Sequence, residues 1–313
     1  MNKGVKWLIG IGSCATLIAG SAVAASEVLL YLTSNGHADL SRIVDKTMEG
    51  DRENFKRKLI DEDLQWLKRQ NTVKYTIKSE EGFKLHGEYL PAKELSDKMI
   101  FCIHGVQTTG RREFATAIRF FFENGFNTFY VDQRSYGESE GKYCTYGHKE
   151  SADCKAWLDF VAKEFGPNMK ILVYGVSMGS STTILLNNYK IPVNVAGFVA
   201  DCGYSSVRKQ IKTTFQKVHI PAGLSYFAYK HACLSHRIYN PDKVDIISAV
   251  SQCTLPILFI HGDEDEVVPL ENVYDLYEAC PSSHKKLLIT KNAGHTQSFA
   301  LSKEAREAII NFI

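Results

Sequence analysis

Ser177 stands between Gly175 and Gly179 in the stretch GVSMG. The apolar run Ile171-Leu172-Val173 precedes it and STTILL follows. A strand that turns sharply into a helix lifts such a hydroxyl above a sheet, and flanking glycines leave room for close packing. The helix start also brings backbone N–H groups near the oxygen, where negative charge develops during acyl transfer. A plain turn explains an isolated Ser between glycines equally well, so the partners decide. A serine hydroxyl is a weak nucleophile at neutral pH and needs a base, which histidine supplies. The imidazole in turn needs an acceptor on its other nitrogen.

Ten histidines are available. His37, His148, His219, His231, His236 and His284 lie in polar or helical surroundings and read as surface residues. His86 falls in a hairpin, and His104 and His261 each precede a glycine at a strand end, where they shape turns. His295, in NAGHTQSF, lies between the last apolar run and the final helical stretch, and is the candidate base. The acid is expected between Ser and His in chain order. The stretch HGDEDEVVP offers Asp263, Glu264, Asp265 and Glu266. A solvated acidic loop or a loose calcium site is the competing reading of that cluster.

These residues need elements to position them. VKYTIKS and FKLHGEYL alternate apolar and polar residues around EEG, a hairpin signal. Apolar runs follow at 99–105, 127–133, 170–177, 195–202, 255–262 and 285–292. Helical stretches alternate with them near 112–124, 148–165, 178–190, 270–279 and 297–313. Strands apolar throughout are buried on both faces, so the fold class is α/β, a mostly parallel sheet covered by helices on both sides. Residues 203–252 hold no clear strand and read as a short helical lid inserted over the sheet. Its aromatic residues Phe215, Tyr226, Phe227 and Tyr229 read as packing, with lining of an acyl pocket as the alternative. Residues 33–72 read as one or two linking helices, and 73–313 as the main domain.

The first 32 residues differ. Lys3 and Lys6 precede twenty residues, Trp7 to Ser26, without a charge. That length spans a bilayer core. The expectation is a single-pass anchor with the rest of the chain outside the cytoplasm, or a signal segment cleaved near Ala22-Val23-Ala24 with secretion. The formal net charge of +2 gives no electrostatic case for nucleic acid. Eight cysteines show no zinc spacing. Cys102 and Cys202 read as small buried residues, and Cys144 with Cys154 is a conceivable disulfide. Nothing in the sequence bears on oligomeric state.

Taken together, GVSMGS, HGDEDEVVP and AGHTQSF resemble the nucleophile elbow, acid loop and histidine loop of the α/β-hydrolase superfamily, with IHGVQTTG similar to its oxyanion segment and DQRSYGESEG to a signature loop. The likeness covers about residues 73–313. It implies the α/β-hydrolase fold and a catalytic set of Ser177, His295 and Asp265, the second aspartate of the HGxxDxxVP pattern, with Asp263 as fallback. It implies oxyanion donors in the backbone N–H groups of Val106 and Met178. A looser likeness is to bacterial hydrolases with an N-terminal membrane segment, grouped with monoacylglycerol-lipase-like esterases and serine aminopeptidases. The implied reaction is hydrolysis of small or medium acyl esters through an acyl-enzyme, without metal or organic cofactor. A peptidase removing short N-terminal residues is the enzymatic alternative, with an amine-binding acid sought among Asp201, Asp263 and Glu266. A non-catalytic binding protein on the same fold is the third.

Overall fold

A computed structural model describes Leu30, residues 51–217 and residues 222–313. The uncharged run Trp7–Ser26, and the anchor or signal expected there, lie outside the described residues. Among the described residues no helix is long and apolar enough to cross a membrane.

Eight strands form one sheet: β1 (Val73–Lys78), β2 (Lys84–Leu90), β3 (Lys98–Ile103), β4 (Asn127–Asp132), β5 (Lys170–Val176), β6 (Val195–Asp201), β7 (Ile257–Gly262) and β8 (Lys285–Thr290). Their spatial order is β1-β2-β4-β3-β5-β6-β7-β8. The expected hairpin is β1–β2, and β2 also runs antiparallel to β4. Every other pairing is parallel. The main helices are α1 (Asp51–Leu67), α2 (Ala115–Glu123), α3 (His148–Phe165), α4 (Met178–Leu185), α5 (Val207–Lys217), α6 (Ala222–Ser235), α7 (Glu271–Ala279) and α8 (Lys303–Ile310).

β4 and β7 are buried along their whole length, because helices cover both faces of the sheet. One apolar layer gathers Phe129, Trp157 and Phe198, and the other Phe121, Tyr174 and Phe299. The apolar runs overreach the strands at their carboxyl ends. His104-Gly105, Ser177, Cys202 and Lys291-Asn292 leave the ladder there, and those departures build one rim. Register aligns that rim, since Val176 pairs with Asp201, Asp201 with Ile260 and Gly262 with Thr290.

Between β6 and β7 the described residues are helical or irregular, with α5, α6 and a short helix Ile246–Val250. Phe215, Tyr226 and Tyr229 are buried, as packing residues should be, whereas Phe227 is 68% exposed. None of the seven described cysteines is in a disulfide, and all are buried. The Cys144–Cys154 bridge is therefore not formed; burial places both thiols in apolar surroundings, each with its proton held well beyond the usual thiol range.

Candidate active site

Ser177 follows β5 directly and caps α4 with φ 55° and ψ −117°. A non-glycine residue in that region is strained and persists only where its surroundings over-determine it. They do so here. The Ser177 N–H donates to the Asp201 carbonyl at 2.9 Å, and Ser180 and Ser181 N–H groups donate to the Ser177 carbonyl. The flanking glycines are needed for approach. A Cβ on Gly175 would lie 2.1 Å from the Gly179 carbonyl oxygen, and one on Gly179 would lie 1.9 Å from that of Ile103. Every residue of α4 is buried, and its hydroxyls are satisfied locally except that of Ser180, which has no hydrogen-bond partner among the described residues. Thr182 and Thr183 donate to the carbonyls four residues back, and Ser181 donates to Tyr204.

His295 lies beyond β8 and reaches Ser177. Its Nδ1 is 2.7 Å from Asp265 Oδ2, and its Nε2 is 2.9 Å from Ser177 Oγ. A carboxylate only accepts, so Nδ1–H donates to Asp265, which leaves Nε2 to accept the serine proton. The other Asp265 oxygen accepts the Val267 and Val268 N–H groups at 2.8 Å each. His261 Nε2 donates to the Val268 carbonyl at 2.8 Å and stands 3.3 Å from Asp265 Oδ2. Burial pushes the Asp265 carboxyl up, but the His295 charge and the hydrogen bonds from both imidazoles outweigh it and hold Asp265 well below the usual carboxylate range. Burial likewise pushes His261 down, and the neighbouring Asp265 more than reverses this.

The structure thus brings Ser177, His295 and Asp265 into one hydrogen-bonded chain. Asp263 is not part of it; its carboxylate lies 3.5 Å from Lys291 Nζ. Met178 is the first residue of α4, where N–H groups have no intrahelical partner. Val106 follows Gly105, on which a Cβ would lie 3.2 Å from that of Ser177, so this segment runs beside the hydroxyl. The segment is held from below. His104 Nε2 accepts the Gln133 N–H at 2.9 Å, so Nδ1–H donates to the Gly105 carbonyl, and burial lowers the proton affinity of this ring. Gln133 also donates to the His104 carbonyl, and its Oε1 stands 3.3 Å from Thr182 Oγ1, which sets the segment beside α4.

Two supporting residues were missed in the sequence, His261 and Gln133. His261 carries a weak signal, four residues before the acid at a strand end. Gln133 carries none outside its place in the DQRSYG loop. Of the acids considered for holding an amine, Asp201 is buried and accepts from Tyr174 Oη at 3.0 Å. Its other oxygen and Thr116 Oγ1 have no hydrogen-bond partner among the described residues. Both residues line a cavity of about 30 Å³ with Tyr174 and Thr296, room for one water.

The family model described as serine aminopeptidase, S33, matches residues 95–232 and 243–299. Over 310 residues the chain is 21% identical to the uncharacterized protein YqkD of Bacillus subtilis, covering 98% of this chain and 97% of that one. It is 30% identical over 168 residues to the uncharacterized membrane protein YNL320W of Saccharomyces cerevisiae, 54% of each. Among solved structures, the esterase Pf2001 of Pyrococcus furiosus matches with a TM-score of 0.64 at 24% identity, covering 80% of this chain and 92% of that one. That likeness is one of fold.

Proposed function

From a chain that belongs to the serine aminopeptidase S33 family of α/β hydrolases, we propose a serine hydrolase that cleaves carboxylic esters of small or medium acyl groups through an acyl-enzyme on Ser177. The observation that carries this reading is the unbroken chain from Ser177 Oγ through His295 to a carboxylate with acceptors filled on both oxygens.

His295 Nε2 takes the hydroxyl proton as Ser177 Oγ attacks the acyl carbon. Asp265 stays ionised beside the imidazolium, as its low proton affinity requires. The Met178 and Val106 N–H groups receive the oxyanion, and a single such donor typically contributes about 2.7–4 kcal/mol to the barrier. His295 then protonates the departing alcohol. Water, deprotonated by the same nitrogen, attacks the acyl-enzyme and releases the acid, restoring Ser177.

Ester cleavage is favoured over removal of N-terminal residues because two of the three carboxylates considered for the amine are poorly placed to hold it. Asp201 is buried and bonded to Tyr174, and Asp263 faces Lys291. The esterase neighbour in fold supports the same choice. Acyl esters of increasing chain length and aminoacyl amides are to be compared with wild type and Ser177→Ala. Ester turnover lost in Ser177→Ala is expected. Faster turnover of aminoacyl amides than of any ester would reverse the assignment.

A further inference from the structure

α1 precedes the first strand and was expected only to link. It is fixed to the body along its carboxyl-terminal half. Leu67 is fully buried, Trp66 meets Phe122 edge to face at 5.4 Å, and Asp63 pairs with Arg119 at 2.9 Å. Its amino-terminal turns reach the opposite way, over the loop that carries His295.

Three residues of those turns touch that loop or its neighbour. Glu53 Oε2 accepts from Gln297 Nε2 at 3.1 Å. Gln297 is buried, and its Oε1 accepts the Gly294 N–H at 2.9 Å. Lys56 Nζ donates to Thr296 Oγ1. Arg52 donates to the Asn292 carbonyl and pairs with Glu264 at 2.5 Å. So the residue before His295 is held through Gln297 and Glu53, and the residue after it through Lys56. Thr296 and Asn292 both have positive φ, 57° and 53°, so the loop is strained and needs outside support.

The contacts are not equal. Both partners of the Arg52–Glu264 pair are 48% exposed, and such pairs contribute little. The Glu53–Gln297–Gly294 chain is more enclosed, with the Glu53 side chain 14% exposed. A hydrogen bond with an ionised acceptor in such a place is stronger and directional.

We propose that α1 is a positioning element for His295, with Glu53 and Lys56 fixing, through Gln297 and Thr296, the two residues that flank the imidazole. This rests on the reading of His295 as the base. The base must sit within hydrogen-bond reach of Ser177 Oγ, and a misplacement of about 1 Å can cost on the order of a hundredfold in rate. The residues act on the imidazole through the loop.

The test uses the full chain and the best ester from the substrate panel. Glu53→Ala and Lys56→Ala are each expected to lower kcat about five- to tenfold with little change in KM, as loss of alignment rather than of binding requires. Lys56→Arg keeps the donor and should keep the rate. Gln297→Glu sets two carboxylates face to face and should lower kcat further. The double variant Glu53→Gln with Gln297→Glu restores donor, acceptor and the Gly294 bond, and should recover kcat to within about twofold of wild type. A purely structural helix would lose melting temperature in the single variants and regain it in the double, with kcat unchanged throughout. The proposal is overturned if the Ala variants keep wild-type kcat, or if the double variant is no better than Gln297→Glu, while His295→Ala remains inactive. Retained turnover in His295→Ala would instead remove the underlying reading of the base. Should an Ala variant unfold, the exchanged pair still decides.

Discussion

Asp201 and Asp265 are buried carboxylates on adjacent strand ends with opposite proton affinities. Asp265 gains four contacts to N–H groups or imidazoles and stays ionised. Asp201 has only Tyr174 on one oxygen; burial is the largest influence and pushes it up to about 6, partly offset by that hydroxyl and by the charges of His261 and His295. Between its ordinary value and about 6 the folded chain binds the Asp201 proton and the unfolded chain does not. Its contribution to stability is therefore fully present below the ordinary carboxylate value and is lost as pH rises through about 6. Asp201→Asn, which keeps an acceptor for Tyr174, should gain melting temperature over wild type at pH 7.5 and gain little at pH 4, as measured by thermal unfolding. An equal difference at both values would show that the carboxyl is not carrying this proton. In the sequence, the serine and histidine were legible from the glycines and from chain order. The acid was narrowed to one of four neighbours only by its likeness to a known pattern. What selects Asp265 physically is the turn at Val267 and Val268, whose N–H groups point back at one oxygen, and no side-chain spacing announces that.

The elements position these residues by close approach. β3, β5 and α4 meet at Gly179, where the Ile103 carbonyl occupies the space of a side chain. Gly179→Ala must push the elbow away from the segment that holds Val106. Overpacking of this kind costs about 1–3 kcal/mol, and more where backbone rather than side chain is displaced. A lowered melting temperature together with slower acylation of Ser177 is expected; unchanged acylation would show that this contact does not set the site. The strands were legible because full burial makes them continuous apolar runs. Their carboxyl ends were read too long, since at β3, β5 and β6 the residues that leave the ladder, His104-Gly105, Ser177 and Cys202, are themselves small or buried. α1 was legible as a helix but not as a support for the histidine loop. Its contacts join residues more than two hundred positions apart, Arg52 to Glu264 and Glu53 to Gln297, through polar side chains that look like any solvated face.

At the scale of the molecule, parallel order and right register bring four strand ends to one rim, and the family is that of hydrolases working at such a rim. The alternation of apolar runs and helical stretches made the α/β class readable, while the order β1-β2-β4-β3 was not, because nothing local in a strand names its neighbour. The central claim is that Ser177 is acylated with His295 and Asp265 assisting. It is tested most directly by treating the full chain with a fluorophosphonate and mapping the adduct by peptide mass spectrometry, at matched pH, in wild type, Ser177→Ala, His295→Ala and Asp265→Asn. One adduct on Ser177 is expected in wild type, none in Ser177→Ala, and labelling slowed by about 10³–10⁴ in the other two. An adduct on a different residue, or wild-type labelling rates without His295 or the Asp265 carboxylate, would contradict it.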